Sequence, residues 1–153
     1  MIIPKKNDDI IKALIKRGEG ENLDFKMAIN SPQKIAKTLA AFANTSGGII
    51  LVGINDQRKI IGVDVDEEMH MVELANAAFL SPSLGLEYEV FEMAADYGES
   101  EEDINLLLIR VDKSKNKCFF KAPDGSLSLF HRIGDRNAMV PMPSDPNSPQ
   151  AEN

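Results

Sequence analysis

The chain has 153 residues and a hydrophobic content of 43%, enough for about one domain with a sizeable core. Its net charge of -7 argues on its face against a nucleic-acid partner. The apolar runs are too short to span a bilayer, the opening Met-Ile-Ile-Pro-Lys-Lys lacks a signal-peptide segment, and a single cysteine, Cys118, excludes an internal disulfide.

In chain order, Asn7 to Arg17 reads as a short helix. Asn7 or Asp8 caps it, Ile10, Ile11, Leu14 and Ile15 form its apolar stripe, and Gly18 stops it. Leu23 to Ala28 alternates as a strand, with Leu23, Phe25 and Met27 on one face and Asp24 and Lys26 on the other. Ser31 is a good N-cap and Pro32 fits the first helical position. Ile35, Leu39 and Phe42, widened by Ala36, Ala40 and Ala43, recur at helical spacing. Gly47 and Gly48 end that helix, with positive φ expected at one or both. Ile49 to Ile54 is apolar almost throughout, as suits a strand buried on both faces. Asn55 to Arg58 reads as a turn, and Lys59 to Val63 as a returning partner strand.

A third helix starts at Asp64 or Asp66 and runs to about Leu80, with Met71, Leu74, Ala75 and Ala78 as its stripe, widened by Val72 and Phe79. Pro82 breaks the pattern. Leu86 to Met93 and Ile104 to Val111 read as strands around an acidic loop from Tyr97 to Asp103. Lys113 to Lys117 is a basic turn, and Cys118 to Lys121 and Leu127 to Ile133 are strands flanking the turn at Pro123-Asp-Gly125. From Pro141 on, Pro, Ser, Asn and Gln dominate, and residues 141–153 are expected to form a disordered tail behind a domain of residues 1–140. The order predicts an α+β domain: a mixed sheet with a central buried strand, helices packed on it, and further strands after it.

Charge is unevenly spread. Asp96, Glu99, Glu101, Glu102 and Asp103 crowd one loop; Arg110, Lys113, Lys115, Lys117 and Lys121 follow, then Arg132 and Arg136. A basic, nucleic-acid-binding face on an acidic protein is therefore feasible, with Phe119 and Phe120 beside it; the alternative is a solvated hairpin tip with core phenylalanines. Glu19, Asp24 and Lys26 form a second constellation. A carboxylate two residues from a lysine on a strand recurs in metal-dependent nucleases, the acid holding a hard cation and the lysine orienting water or steadying phosphate. Asp56 completes a three-carboxylate cluster if the central strand neighbours the Asp24 strand. The alternative is an Asp–Lys pair on a solvated face. Asn44-Thr-Ser-Gly-Gly48 offers backbone N–H groups to a phosphate, or is simply a helix stop feeding a buried strand. His131 is a lone histidine, and with only His70 besides, imidazole ligands are scarce.

Leu23-Asp-Phe-Lys26, Ala40-Ala-Phe-Ala-Asn-Thr-Ser-Gly-Gly48, Val52-Gly-Ile-Asn-Asp56, Ile61-Gly-Val63 and Phe130-His-Arg-Ile-Gly134 follow one another in the order and spacing of a known pattern. They resemble the Schlafen/AlbA-type DNA-binding domain, over about residues 12–140. The Ala-Phe-Ala-Asn-Thr-x-Gly-Gly block is the most specific of them. The resemblance implies an α+β domain that binds DNA or RNA, in bacteria often in transcription regulators or ahead of a divergent ATPase module. Lys26, Arg110, Lys113, Lys115, Lys117, Lys121, Arg132 and Arg136 are then the expected nucleic-acid contacts. In animal Schlafen proteins, related domains are endoribonucleases that use three carboxylates and a divalent metal. By motif those carboxylates fall on Glu19, Asp24 and Asp56, with Lys26 beside them and Mg²⁺ or Mn²⁺ as the cofactor. Asp24 departs from the pattern, which has Glu there. The expected setting is a bacterial cytoplasm without membrane contact, with a second copy of the chain as a further candidate partner.

Overall fold

A computed structural model describes residues 2–94 and 103–142. Helix α1 (Asp8–Arg17) leads into strand β1 (Leu23–Lys26), helix α2 (Pro32–Ala43), strand β2 (Gly48–Val52) and helix α3 (Val65–Phe79). Strands β3 (Leu80–Ser81), β4 (Leu86–Met93), β5 (Ile104–Val111), β6 (Phe119–Lys121), β7 (Leu127–Ile133) and β8 (Arg136–Val140) follow. The fold is α+β, as the element order predicted.

The strands form two sheets. The first is mixed, in the order β1-β2-β5-β4, with β1 parallel to β2 and the other pairs antiparallel. The second, β3-β6-β7-β8, is antiparallel throughout. The apolar run in β2 has the expected cause. It lies inside the first sheet, so Ile50 and Val52 enter the core under α2 and α3, while Leu51 enters a second core under α1. The next strand inward, β5, splits the same way: Leu107, Ile109 and Val111 join one core, Leu106 and Leu108 the other. Period-2 alternation between two covered faces reads as a continuous apolar run.

Helix α2 starts as its sequence dictates. Ser31 Oγ accepts from Lys34 N at 3.2 Å, and Pro32 holds the first turn. Its burial is wider than one stripe, because Thr38 and Ala41 are buried as well. The helix lies between the first sheet and the second, against β5 of one and β6, β7 and β8 of the other, and shares a core with Leu107, Phe120 and Phe130. Alanines let both sheets come close.

The motif at the end of α2 joins the layers. Asn44 Nδ2 donates to Cys118 O (2.8 Å) and Phe130 O (3.0 Å), and Asn44 Oδ1 accepts from Cys118 N (2.8 Å). Thr45 Oγ1 donates to Ala41 O and accepts from Arg132 N, both at 2.8 Å. Gly47 has φ 71, whereas Gly48 is not in the left-handed region. A Cβ on Gly47 would sit 2.7 Å from Val111 O, and one on Gly48 2.8 Å from Asn22 O. Glycine here permits close approach of backbone as well as the turn.

Several sequence expectations need correction. Lys59 to Val63 is not a strand of the first sheet. Ile54 and Ile60 form an isolated bridge, Ile61 N and Gly62 N both donate to Gly53 O, and Val63 N donates to Asn105 O. Both sides of β2 are already taken, by β1 and β5. The first strand stops at Lys26, leaving Met27 exposed. In α1 only Ile11 is fully buried, while Ile10 is 43% exposed. In α3 the buried line is Glu68, Val72, Ala75 and Asn76, with Leu74 and Ala78 outside. Polar residues take that line because they serve backbone: Glu68 Oε2 accepts from Ile29 N at 2.7 Å, and Asn76 exchanges two bonds with Leu84. Leu80 leaves the helix for β3, and β8 extends the ordered strands beyond Ile133. Most of the acidic loop and of the C-terminal tail falls outside the described residues. Among the described residues no helix is long and apolar enough to cross a membrane.

Candidate nucleic-acid interface

The chemistry-bearing strand is β1. Asp24 and Lys26 share a face, as alternation predicts, and Lys26 Nζ stands 3.1 Å from Asp24 Oδ2. That contact is an ion pair without hydrogen-bond angles. The face is not solvated. Asp24 is 3% exposed and pairs with Arg132, itself 4% exposed, through Nη2–Oδ1 at 2.9 Å. Arg132 Nε donates to Gly20 O (3.0 Å), Nη1 to Asn137 Oδ1 (2.9 Å), and the guanidinium lies 4.9 Å from the Phe42 ring centroid. A buried ion pair persists only when its other donors and acceptors are also served, and here the guanidinium is.

Glu19 joins the cluster through the bend at Gly18 and Gly20. Its Oε2 accepts from Phe25 N at 3.2 Å. Loss of water around the carboxyl, and then its hydrogen bond with Asp24, push the Glu19 pKa up from 4.5 to about 6. Burial alone would raise Asp24. The bond from Glu19 and the charges of Lys26 and Arg132 outweigh it and hold Asp24 below its usual value.

The three expected metal ligands do not converge. Among the described residues no three His, Cys, Asp or Glu side chains gather to hold a metal ion. Asp56 is exposed, in the turn that Asn55 Oδ1 closes by accepting from Gln57 N and Lys59 N. Positive charge beside Asp24 already comes from Arg132 and Lys26. The residues in place therefore do not fit a divalent cation held by three carboxylates.

The expected basic contacts separate into groups. Arg132 is turned inward and spent on the acceptors just named, which corrects its expected place on the binding face. Arg110 sits in β5 with Nε 3.6 Å from Glu89 Oε1. Lys113, Lys115, Lys117 and Lys121 are exposed. Lys26 and Arg136 meet in a groove of about 410 Å³, which is also lined by Lys34, Lys37, Thr38, Phe130 and Asn137. Lys26 and Lys34 carry on into a smaller adjoining hollow beside Ile29 and Ser31.

Four cations and no carboxylate line the groove. Its floor is braced: Asn137 Nδ2 donates to Thr38 Oγ1 at 2.8 Å, and Asn137 Oδ1 receives Arg132. Lys37 Nζ lies 5.0 Å and 5.5 Å from the Phe120 and Phe130 ring centroids. Those rings hold the ammonium at the surface instead of stacking on a base, since both are buried. The apolar stripe that marks α2 in the sequence does not single out Lys34 and Lys37. Their spacing of three residues on one helix was the available signal.

Comparison with known proteins agrees with this architecture. The DIP2311 protein of Corynebacterium diphtheriae is a solved structure with a similar fold, at a TM-score of 0.52 and 18% identity. The match covers 87% of this chain and 29% of that one. A protein of Ureaplasma parvum described as an uncharacterized ATP-binding protein is 32% identical, with 68% of this chain and 34% of that protein covered. The chain thus spans about a third of the length of that relative. The pattern of the Schlafen, AlbA_2 family matches residues 19–141, from Glu19 to the end of the second sheet, and by that match the chain belongs to this family.

Proposed function

We propose that the protein binds nucleic acid, with the sugar–phosphate backbone lying in the groove between the end of β1, α2 and β8. The observation that carries this reading is the groove's charge. Lys26, Lys34, Lys37 and Arg136 line it without a carboxylate, in a chain whose net charge is -7. Local potential, not net charge, governs where a polyanion docks. Family membership supports the same partner. Thr38 and Asn137 are bonded to each other, so they brace the groove and leave the four cations to hold phosphate. Such contacts set position and affinity without reading bases. Residues 1–140 are the binding unit in this reading, and transcriptional regulation on DNA is its setting. Phosphate contacts alone do not separate DNA from RNA, so both polymers belong in the test.

The test is fluorescence anisotropy with a labelled duplex DNA and a labelled RNA hairpin at low salt. Lys34→Glu with Lys37→Glu reverses two of the four groove charges on exposed or half-exposed side chains, so the fold should survive. The double variant is expected to lose binding to whichever polymer the native chain holds. No binding of either polymer by the native chain, or unchanged affinity in the folded variant, would sink the proposal.

A further inference from the structure

At the other end of β1 lies a second basic hollow, of about 290 Å³. It opens where β1 and β2 begin and β5 ends, about 13 Å along the strand from Lys26 at a rise of about 3.3 Å per residue. Arg17, the last residue of α1, Arg110 of β5 and Lys113 of the loop after β5 line it, together with the backbone of Gly47 and Gly48. Those three cations come from three separate elements. The volume is at the small end for ligand pockets, which begin at about 300 Å³.

The charges around this hollow are largely free to act on a ligand. Among the described residues neither Arg17 nor Lys113 has a carboxylate within ion-pair distance. Arg17 Nη2 makes a long contact of 3.4 Å with Asn22 Oδ1. Glu89 stands nearer to Lys5 Nζ (3.2 Å) than to Arg110 Nε (3.6 Å). Glu21 accepts from Ser46 Oγ at the rim, at 2.6 Å. Asp112 is the one carboxylate among the lining residues, against the three cations, with Glu89 shared between Arg110 and Lys5 outside the lining. The glycines bring the walls in: a Cβ on either would strike the backbone of Val111 or Asn22. Two guanidiniums and an ammonium around a small hollow suit a tetrahedral oxyanion, because a guanidinium fork matches phosphate oxygens in pairs.

We propose that the hollow between Arg17, Arg110, Lys113 and the Gly47–Gly48 turn binds a phosphate monoester dianion. Its charge of about -2 suits a hollow whose lining carries three cations and one carboxylate. The same chemistry is presented by a free nucleotide and by the 5′-phosphate end of a polynucleotide. The site is separate from the groove and does not depend on it.

Isothermal titration of the whole chain decides the matter, with inorganic phosphate, AMP, and one short oligonucleotide carrying either a 5′-phosphate or a 5′-hydroxyl. Arg17→Gln with Lys113→Gln removes two of the three cations from exposed positions. Each lost charge-assisted contact should weaken binding about tenfold. The groove variant Lys34→Glu with Lys37→Glu should leave phosphate binding unchanged, which separates this site from the groove. Binding of phosphate and AMP identifies a free-nucleotide site; preference for the 5′-phosphorylated strand without AMP binding identifies end recognition. Failure of all probes to bind the native chain, or equal affinity in the Arg17→Gln, Lys113→Gln variant, overturns the proposal.

Discussion

Replacing Arg132 by Met keeps most of its stem against Phe42 but strips the charge from Asp24. The guanidinium serves Asp24 Oδ1 at 2.9 Å, Asn137 Oδ1 at 2.9 Å and Gly20 O at 3.0 Å. Asp24 would then be a carboxylate 3% exposed, with the half-exposed Lys26 as the one cation left beside it and Glu19 as its other neighbour. Removing one partner of a buried pair costs about 3–5 kcal/mol, mostly because the other charge is stranded. That is about a fifth or more of the roughly 5–15 kcal/mol by which a domain is usually stable. Asp24→Asn added to Arg132→Met removes the stranded charge and should recover part of the loss, with a coupling of about 2 kcal/mol. The penalty should also shrink in acid. In the native chain Asp24 is held below its usual pKa of 3.8, so its contribution is present above that pH and lost as pH falls through the folded value. In the variant, burial acts without Arg132 to oppose it, and a carboxyl that can take up a proton no longer strands a charge. Urea unfolding of the four proteins at pH 7 and again near pH 4 measures all of this. A cost below about 1 kcal/mol for Arg132→Met, or additivity within about 0.5 kcal/mol across the cycle, would refute the reasoning.

Asn44→Ala removes three hydrogen bonds to the second sheet. At about 1 kcal/mol each, unfolding by urea should show a loss of about 3 kcal/mol, and a loss under about 1 kcal/mol would mean that the layers hold without this joint. Glu19→Gln acts through pH. Because the Glu19 pKa rises from 4.5 to about 6 on folding, the native state holds its proton more tightly, and stability falls as pH rises through that window. Full burial would make this about 2 kcal/mol, but Glu19 is solvent-exposed, and screening brings it below about 1 kcal/mol. Melting temperatures between pH 4.5 and pH 7 should therefore fall less in Glu19→Gln than in the native chain; an equal slope would remove Glu19 from the cluster's titration.

How much of this was legible depended on whether local pattern or distant contact decides each feature. Ser31 and Pro32 start α2 as their chemistry requires, and the apolar run of β2 placed it inside a sheet. The Lys59–Val63 return failed because a strand's neighbours are chosen by the whole sheet, and β5, some fifty residues on, claimed that side of β2. The stripe of α3 failed because Glu68 and Asn76 are buried to serve the backbone of Ile29 and Leu84, which a hydrophobic period cannot register. In the site, Asp24 beside Lys26 followed from strand alternation. Its pairing with Arg132, more than a hundred residues away, did not, since no local pattern marks a buried ion pair. The same absence of a local mark leaves Arg132 among the expected nucleic-acid contacts, where the run of basic residues places it. The groove stayed hidden because its four cations come from three elements, and only α2 carries two of them.

The most direct measurement of the central claim is the salt dependence of nucleic-acid affinity. Four phosphate contacts predict a slope of log K against log salt of about -3.6 on duplex DNA, or about -2.8 on single strands. Lys34→Ala and Lys37→Ala should each reduce that slope by about one contact, roughly 0.9 on duplex, while Lys115→Ala and Lys117→Ala, on the loop after β5, should change it less. A slope lowered by the two loop lysines and untouched by Lys34 and Lys37 would place the nucleic acid elsewhere and contradict the account.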